Sequence, residues 1–373
     1  QMALTLEQVA TLAGVSRSTV SRVVNDHPNV NAETREAVWG VIHEHGFHPN
    51  NAARTLASRR SQMIGLVIPQ ALSTVFSDPY FPILIQGIAA ACEEQEYYLM
   101  LSLVRAQSPT TFRRLVGGGH LDGVIVASAL AIDPFVDRLL IENFPFVLIG
   151  RSLSEAPITT IDADNVHGAT MATQHLLRLG YKRIATISGP QDMVAGMDRL
   201  EGFRVALRAA GTTPPPEYVQ EGDWSEWSGQ RGMSTLLSLA SLPQAVFIAS
   251  DAMAIGALKV IRSAGMQVPG DIALVSFDDI PLASSLETPL TTVRQPIHQL
   301  GYTAASVLID RLRNSDRGGE ATATRIVLPT ELVVRASCGQ QSRFATAQRQ
   351  PDARDSHTRH IKGGTPQPEP VHG

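Results

Sequence analysis

Apolar positions in the first fifty residues recur at helical spacing. Leu6, Val9, Ala10, Leu12 and Ala13 mark a first helix, and Thr5 opens it with Gln8 at capping-box spacing. Gly14 permits a tight turn, because glycine takes positive φ without cost. Ser16 can cap a second helix, whose apolar positions are Thr19, Val20, Val23 and Val24. A third helix is predicted from Asn31 to His45, with Val38, Val41 and Ile42 inward and Gly46 past its end. Two short helices joined by a glycine-containing turn predict a helix-turn-helix, whose second helix lies in the DNA major groove. An ordinary helical hairpin carries the same signal. Arg17, Ser18, Ser21, Arg22 and Asn25 remain polar on the outward side.

From Met63 the pattern changes to short apolar runs alternating with helical periodicity. MIGLVIP, YLMLSLV, DGVIVA and FPFVLIG read as strands, separated by helices near 82–96, 110–116 and 134–142. The pattern then restarts with TTIDAD, RIATISG, EYVQEGDW, AVFIAS and ALVSFDD. Helices are expected at 165–179, 197–210, 225–239 and 252–264. Strand–helix alternation means βαβ units and a parallel sheet. Two α/β lobes of similar build are expected. LTTVRQP returns the chain to the first lobe, with its last helix at 297–313, and TRIVLPTELVVRASC returns it to the second. This is the architecture of periplasmic sugar-binding proteins. Ligands of such sheets sit beyond the carboxyl ends of the strands, which predicts a site in the cleft.

Polar residues concentrate at those strand ends. Phe76 and Asp78 lie in FSDPYF, Arg151 follows FPFVLIG, and Arg199 lies in MDRLEGF. Trp224 closes EGDW, Ser250 and Asp251 close AVFIAS, and Asp278 and Asp279 close ALVSFDD. Carboxylates and arginines can hold several hydroxyls in fixed geometry, and aromatic rings cover the apolar faces of a sugar. Each has a plainer reading. Asp251 can cap the helix 252–264, Asp278 can cap a loop, and Arg151 can pair with a surface carboxylate.

The chain has 373 residues, a 43% hydrophobic fraction and a net charge of −4, which predicts two or three packed domains and excludes a polybasic nucleic-acid binder. The first sixty residues hold six arginines against five carboxylates, a weak basic footprint. DNA binding is therefore expected to lean on dimerisation and helix N-termini. Two distant cysteines, Cys92 and Cys338, make no disulfide framework and suit a reducing cytosol. No signal-peptide or membrane-span pattern is seen, so the expected location is the cytoplasm. No P-loop, nucleophile elbow, dinucleotide fingerprint or metal-ligand spacing stands out, so neither cofactor nor metal is expected. An α/β enzyme and a transporter's solute-binding protein are the rival functions. The second would need a signal peptide and would lack the helix-turn-helix.

VATLAGVSRSTVSRVVN, VNAETREAV and GFHPNNAARTLASRR resemble the lactose-repressor/galactose-repressor family of bacterial transcription regulators, as does most of the chain through Cys338. The resemblance implies a dimer on pseudo-palindromic double-stranded operator DNA, controlled by a small-molecule effector such as a sugar. It implies a multidomain fold: a headpiece at 1–47, a hinge helix at 48–61 and a two-lobed core at 62–339. The first lobe would span 62–162 and 294–322, the second 163–293 and 323–339, with a disordered tail at 340–373. DNA contacts would come from Thr5, Ser16, Arg17, Ser18, Thr19, Ser21, Arg22, Asn25 and Asn29. From the hinge, Leu56 would wedge into the central minor-groove step, flanked by Ala53 and Arg54. The effector arginine matches Arg199 in the R-L-x-G-F pattern, and the effector aspartate matches Asp278 in the F/Y-D-D pattern. Trp224 matches an aromatic that covers the pocket. Ser250 stands where many members have Asn, and the loop ending in DPYF is longer than usual, so the ligand can differ while its location is kept. No heptad pattern follows Cys338, so dimers are expected rather than coiled-coil tetramers.

Overall fold

The computed structural model describes residues 4–24, 27–46, 60–69, 78–103, 109–315 and 322–340. Three helices open the chain: α1 (Leu6–Leu12), α2 (Arg17–Val24) and α3 (Ala32–His45). Their starts are set by side-chain caps. Thr5 accepts from the Gln8 amide while the Gln8 side chain accepts from the Thr5 amide, a complete capping box. Ser16 Oγ accepts from the Thr19 amide, and Asn31 accepts from the Thr34 amide. Gly14 takes φ +65° at the turn, and Gly46 takes φ +59° where α3 ends. Val9, Ala10, Val20, Val23, Val38 and Ile42 form the buried core of the bundle; Ala13, Val15 and Val41 pack around it.

The remaining elements alternate as predicted. They are β1 (Met63–Ile68), α4 (Tyr80–Glu94), β2 (Tyr98–Leu103), α5 (Pro109–Val116), β3 (Gly123–Ala127), α6 (Pro134–Ile141), β4 (Phe146–Ile149) and β5 (Thr160–Ala163). Next come α7 (Asn165–Arg178), β6 (Ile184–Ser188), α8 (Val194–Ala209), β7 (Val219–Glu221), α9 (Glu226–Leu237), β8 (Ala245–Ile248) and α10 (Asp251–Ser263). Last are β9 (Ala273–Asp278), α11 (Pro281–Ser285), β10 (Thr291–Arg294), α12 (Ile297–Ser315), β11 (Arg325–Leu328) and β12 (Glu331–Val333). Helix α8 starts three residues before the expected Met197.

One sheet has the order β11-β5-β4-β3-β1-β2, and every neighbouring pair in it is parallel. The other has the order β12-β10-β9-β8-β6-β7, with β10, β9, β8, β6 and β7 parallel. Two compact units result. One comprises Gln1–His167, Gly189–Arg199 and Gln295–Glu331; the other comprises Gly168–Ser188, Leu200–Arg294 and Leu332–Gly373. Two details differ from the periodicity reading. TTIDAD, which looked like the start of the second pattern, is β5 of the first sheet, and β11 pairs with it there rather than with the second sheet. Short apolar strands look alike in sequence, and only their partners assign them to a sheet.

Close helix contacts back each sheet. In the first unit a Cβ on Gly87 of α4 would run into the His298 carbonyl oxygen, and one on Gly301 of α12 would run into that of Leu84. In the second unit Gly229 of α9 meets the Met253 carbonyl and Gly256 of α10 meets that of Glu226. The backbones approach this closely because neither helix carries a side chain at the crossing.

Candidate functional site

Helix α2 presents the candidate DNA surface. Val20 and Val23 are fully buried, which turns Arg17, Ser18 and Arg22 outward. The hydroxyls at its start are linked: Ser16 Oγ lies 2.7 Å from Ser18 Oγ and 2.8 Å from Thr19 Oγ1. This fixes the first turn, where backbone amides point out of the helix N-terminus and attract phosphate. Arg17 pairs with Glu7 at 3.0 Å, both well exposed. Such a pair contributes about 0–1 kcal/mol, so a phosphate or a base edge can displace it. Arg35, which the sequence reading passed over, shapes the next loop. Its guanidinium donates to the His27 carbonyl at 3.1 Å, and the His27 amide donates to the Arg22 carbonyl at 2.9 Å. Asn29 is exposed in that loop, and Thr5 is exposed at the start of α1. Asn25, Ala53, Arg54 and Leu56 lie outside the described residues, as do Phe76, most of the hinge and nearly all of the C-terminal tail.

The first unit gathers charge at its strand ends. Arg151, two residues past β4, holds Asp198 of α8 with Nε at 3.2 Å and Nη2 at 2.5 Å, a two-point ion pair. The neighbouring Arg199 is only 5% exposed and donates through Nε to Asn165 Oδ1 at 2.9 Å. Asn165 in turn donates to Asp162 Oδ1 at 3.2 Å and to the Ala163 carbonyl. Asp162 is buried at the end of β5. Burial, and then the nearby Asp198 carboxylate, push its carboxyl up to about 6. Asp162, Asn165 and Asp198 were absent from the sequence-based candidates. The adjacent Asp198 and Arg199 beside an apolar helix pattern were the one local hint. Asp78 accepts from the Tyr80 amide at 3.0 Å and so supports the start of α4.

The second unit has its own set. Ser250, not Asp251, caps α10, accepting from the Met253 amide at 3.2 Å. Asp251 is the first helical residue and is 0% exposed. It accepts from Ser276 Oγ at 2.5 Å, Thr292 Oγ1 at 2.8 Å and the Ile280 amide at 2.9 Å. Asp278 ends β9 at φ +115°, with 7% exposure. Asp279 follows at φ +56° and is tied to Arg294 at 2.7 Å and Arg335 at 2.6 Å. Trp224 sits half-buried at φ +70°, an uncommon conformation for a bulky residue. Backbone strain of this kind, about 1–3 kcal/mol per residue, concentrates at functional sites.

Among the described residues no group of three or more His, Cys, Asp or Glu side chains could hold a metal ion, and no helix is long and apolar enough to cross a membrane.

The geometry agrees with comparisons to known proteins. Residues 5–50 match the model of bacterial regulatory proteins of the lacI family, and residues 173–338 match that of a periplasmic binding protein-like domain. The HTH-type transcriptional regulator CelR of Thermobifida fusca is 42% identical over 339 residues, 89% of this chain and 98% of that protein. A solved structure of a transcriptional regulator CelR–cellobiose complex is 40% identical, with a TM-score of 0.70, covering 90% of this chain and 99% of that one. The lac repressor dimer bound to operator and an anti-inducer is 30% identical, with a TM-score of 0.77 at the same coverage.

Proposed function

Because this chain belongs to the lacI family of DNA-binding bacterial transcription regulators, we propose that it is a homodimeric repressor whose operator affinity is set by a sugar. The observation that carries this reading is the pairing of a fully capped helix-turn-helix with two sheets whose strand ends bear charged and aromatic groups. Arg22, Arg17 and Ser18 face base edges; Thr5, Ser16, Thr19, Ser21, Asn25 and Asn29 hold the backbone. Leu56, flanked by Ala53 and Arg54, wedges the operator centre. A dimer is needed because one headpiece reads too few base pairs to find its site among genomic competitors. The protein acts in the cytoplasm, where that DNA is.

For the effector, Arg199 and Arg151 serve in one unit, and Asp278 and Trp224 in the other, with Asp78, Phe76 and Ser250 as further contacts. The CelR complex makes cellobiose the first sugar to try. Carboxylates and guanidinium groups match its hydroxyls as acceptors and donors. The protein turns over no substrate in this reading.

The test is an operator titration of the full chain with a carbohydrate panel that includes cellobiose, with light scattering alongside. A shift in operator affinity with one sugar, on a dimer, is expected. If no sugar changes either melting temperature or operator affinity, the effector reading fails. A monomer in both free and operator-bound samples would rule out the dimer.

Base reading has its own test. Arg22→Ala should weaken operator binding and flatten sequence preference, because a bidentate arginine–guanine contact contributes about 1–3 kcal/mol of discrimination. Equal weakening on operator and random DNA would assign Arg22 to the phosphates instead.

A further inference from the structure

We propose that Asp251 is a positioning residue for the effector contact: its carboxylate grips the chain on both sides of Asp278 and holds that side chain at the strand end. This rests on the reading of Asp278 as an effector contact. Asp251 itself has no exposed surface with which to meet a ligand. Its partners are instead spaced around Asp278. Ser276 lies two residues before Asp278 on β9, and Ile280 lies two residues after it. The third partner, Thr292, is the register neighbour of Ser276 on β10. Between the two grips, Asp278 and Asp279 take φ +115° and +56°. L-residues leave such conformations unless their surroundings hold them. Asp279 is held by Arg294 and Arg335, which anchor the turn from its other side chain. One buried carboxylate at the start of α10 thus joins the helix to β9, the turn and β10.

The same placement sets two carboxyl groups close together in a buried setting. Burial, and then the Asp278 carboxylate, push the Asp251 carboxyl up to about 7. The other charged groups of this turn are Asp279 and its two arginines, and the remaining neighbours of Asp251 are the Ser276 and Thr292 hydroxyls and the Ile280 amide. A ligand on Asp278 removes water that screens the two carboxylates from each other. Binding therefore favours neutral Asp251, and affinity falls as pH rises through the Asp251 titration.

The experiment uses the full chain and two readouts: amide hydrogen exchange at 278–280 without ligand, and cellobiose affinity. Asp251→Ala removes the grip. Exchange of the Ile280 amide is expected to speed by about tenfold or more, and cellobiose affinity to fall by a similar factor, in line with the loss of hydrogen bonds to a buried charged group. Asp251→Asn can donate to both hydroxyls and still accept from the Ile280 amide, so it should restore both readouts. It should also abolish the fall in affinity that is expected of wild type between about pH 6 and pH 8.5. Should Asp251→Ala not fold, Asp251→Ser takes its place. Unchanged Ile280 exchange in the Ala or Ser variant, or an Asn variant as impaired as Ala, overturns the proposal. If wild type binds no cellobiose, the effector reading fails for that sugar, and the exchange measurement still decides the role of Asp251.

Discussion

Asp278→Ala and Arg199→Ala should each abolish the effector response while leaving effector-free operator binding near wild type. The two residues belong to different units, and both are held by local networks rather than left mobile. Arg199 is fixed by Asn165, which is fixed by Asp162; Asp278 is fixed from both sides by the Asp251 grip. Neither network includes a residue of α1, α2 or α3, so DNA contacts should survive. A ligand changes operator occupancy only through a difference in its affinity for the DNA-competent and DNA-incompetent forms. Allosteric couplings are typically about 1–3 kcal/mol, which corresponds to a roughly 5- to 150-fold change in operator affinity. Removing a charged partner from a buried hydrogen-bonded site costs about that much or more, because groups on the ligand are left unpaired. The full coupling should therefore disappear. Operator titrations of each variant, with and without the sugar that shifts wild type, measure it. A variant that keeps the whole wild-type shift would place the effector elsewhere.

Gly87→Leu should destabilise the first unit by roughly 3 kcal/mol or more, at the upper end of the range for overpacked cores. The reason is what the new side chain would meet. A Cβ at Gly87 points at the backbone of His298 and Tyr302 on α12, and backbone cannot rotate away as a side chain can. Gly301 makes the reciprocal approach to Leu84 and Ile88, so the two helices cannot slide to relieve the clash. The control is Gly40→Ala on α3. It meets nothing within 4 Å, and it should stabilise the headpiece by roughly 0.5–1 kcal/mol through helix propensity. Differential scanning calorimetry on both variants checks the pair. A Gly87→Leu protein that melts with wild type would mean that α4 and α12 do not pack as closely as described.

The headpiece was legible in the sequence because its signals are local. Thr5 with Gln8, Ser16 at the start of the second helix, and the glycines at 14 and 46 act within four residues of themselves, and all appear as read. The alternation of apolar strands and periodic helices was legible for the same reason. What the sequence could not decide was which strand sits beside which. β5 and β11 pair in the first sheet although Arg325 lies 165 positions after its register partner Thr160.

 The pairing of β5 with β11 brings together segments far apart in the chain, and no local pattern encodes that.

Charged side chains followed the same division. Their positions at strand ends were readable, but their roles were not. Asp251 looked like a helix cap or a ligand contact; Ser250 supplies the cap, and Asp251 is buried and hydrogen-bonded to Ser276, Thr292 and Ile280. Arg151 looked able to pair with a surface carboxylate, and it pairs with Asp198 on a helix that follows another strand. Asn165 and Asp162 carried no visible signal, because their importance lies in reaching Arg199. Capping, turns and periodicity act between residues a few positions apart, so the chain alone determined the helices, the strands and the helix-turn-helix. Burial and hydrogen bonding of charged groups depend on segments brought together from distant parts of the chain, so only the tertiary structure decided which carboxylates are buried and which groups hold them.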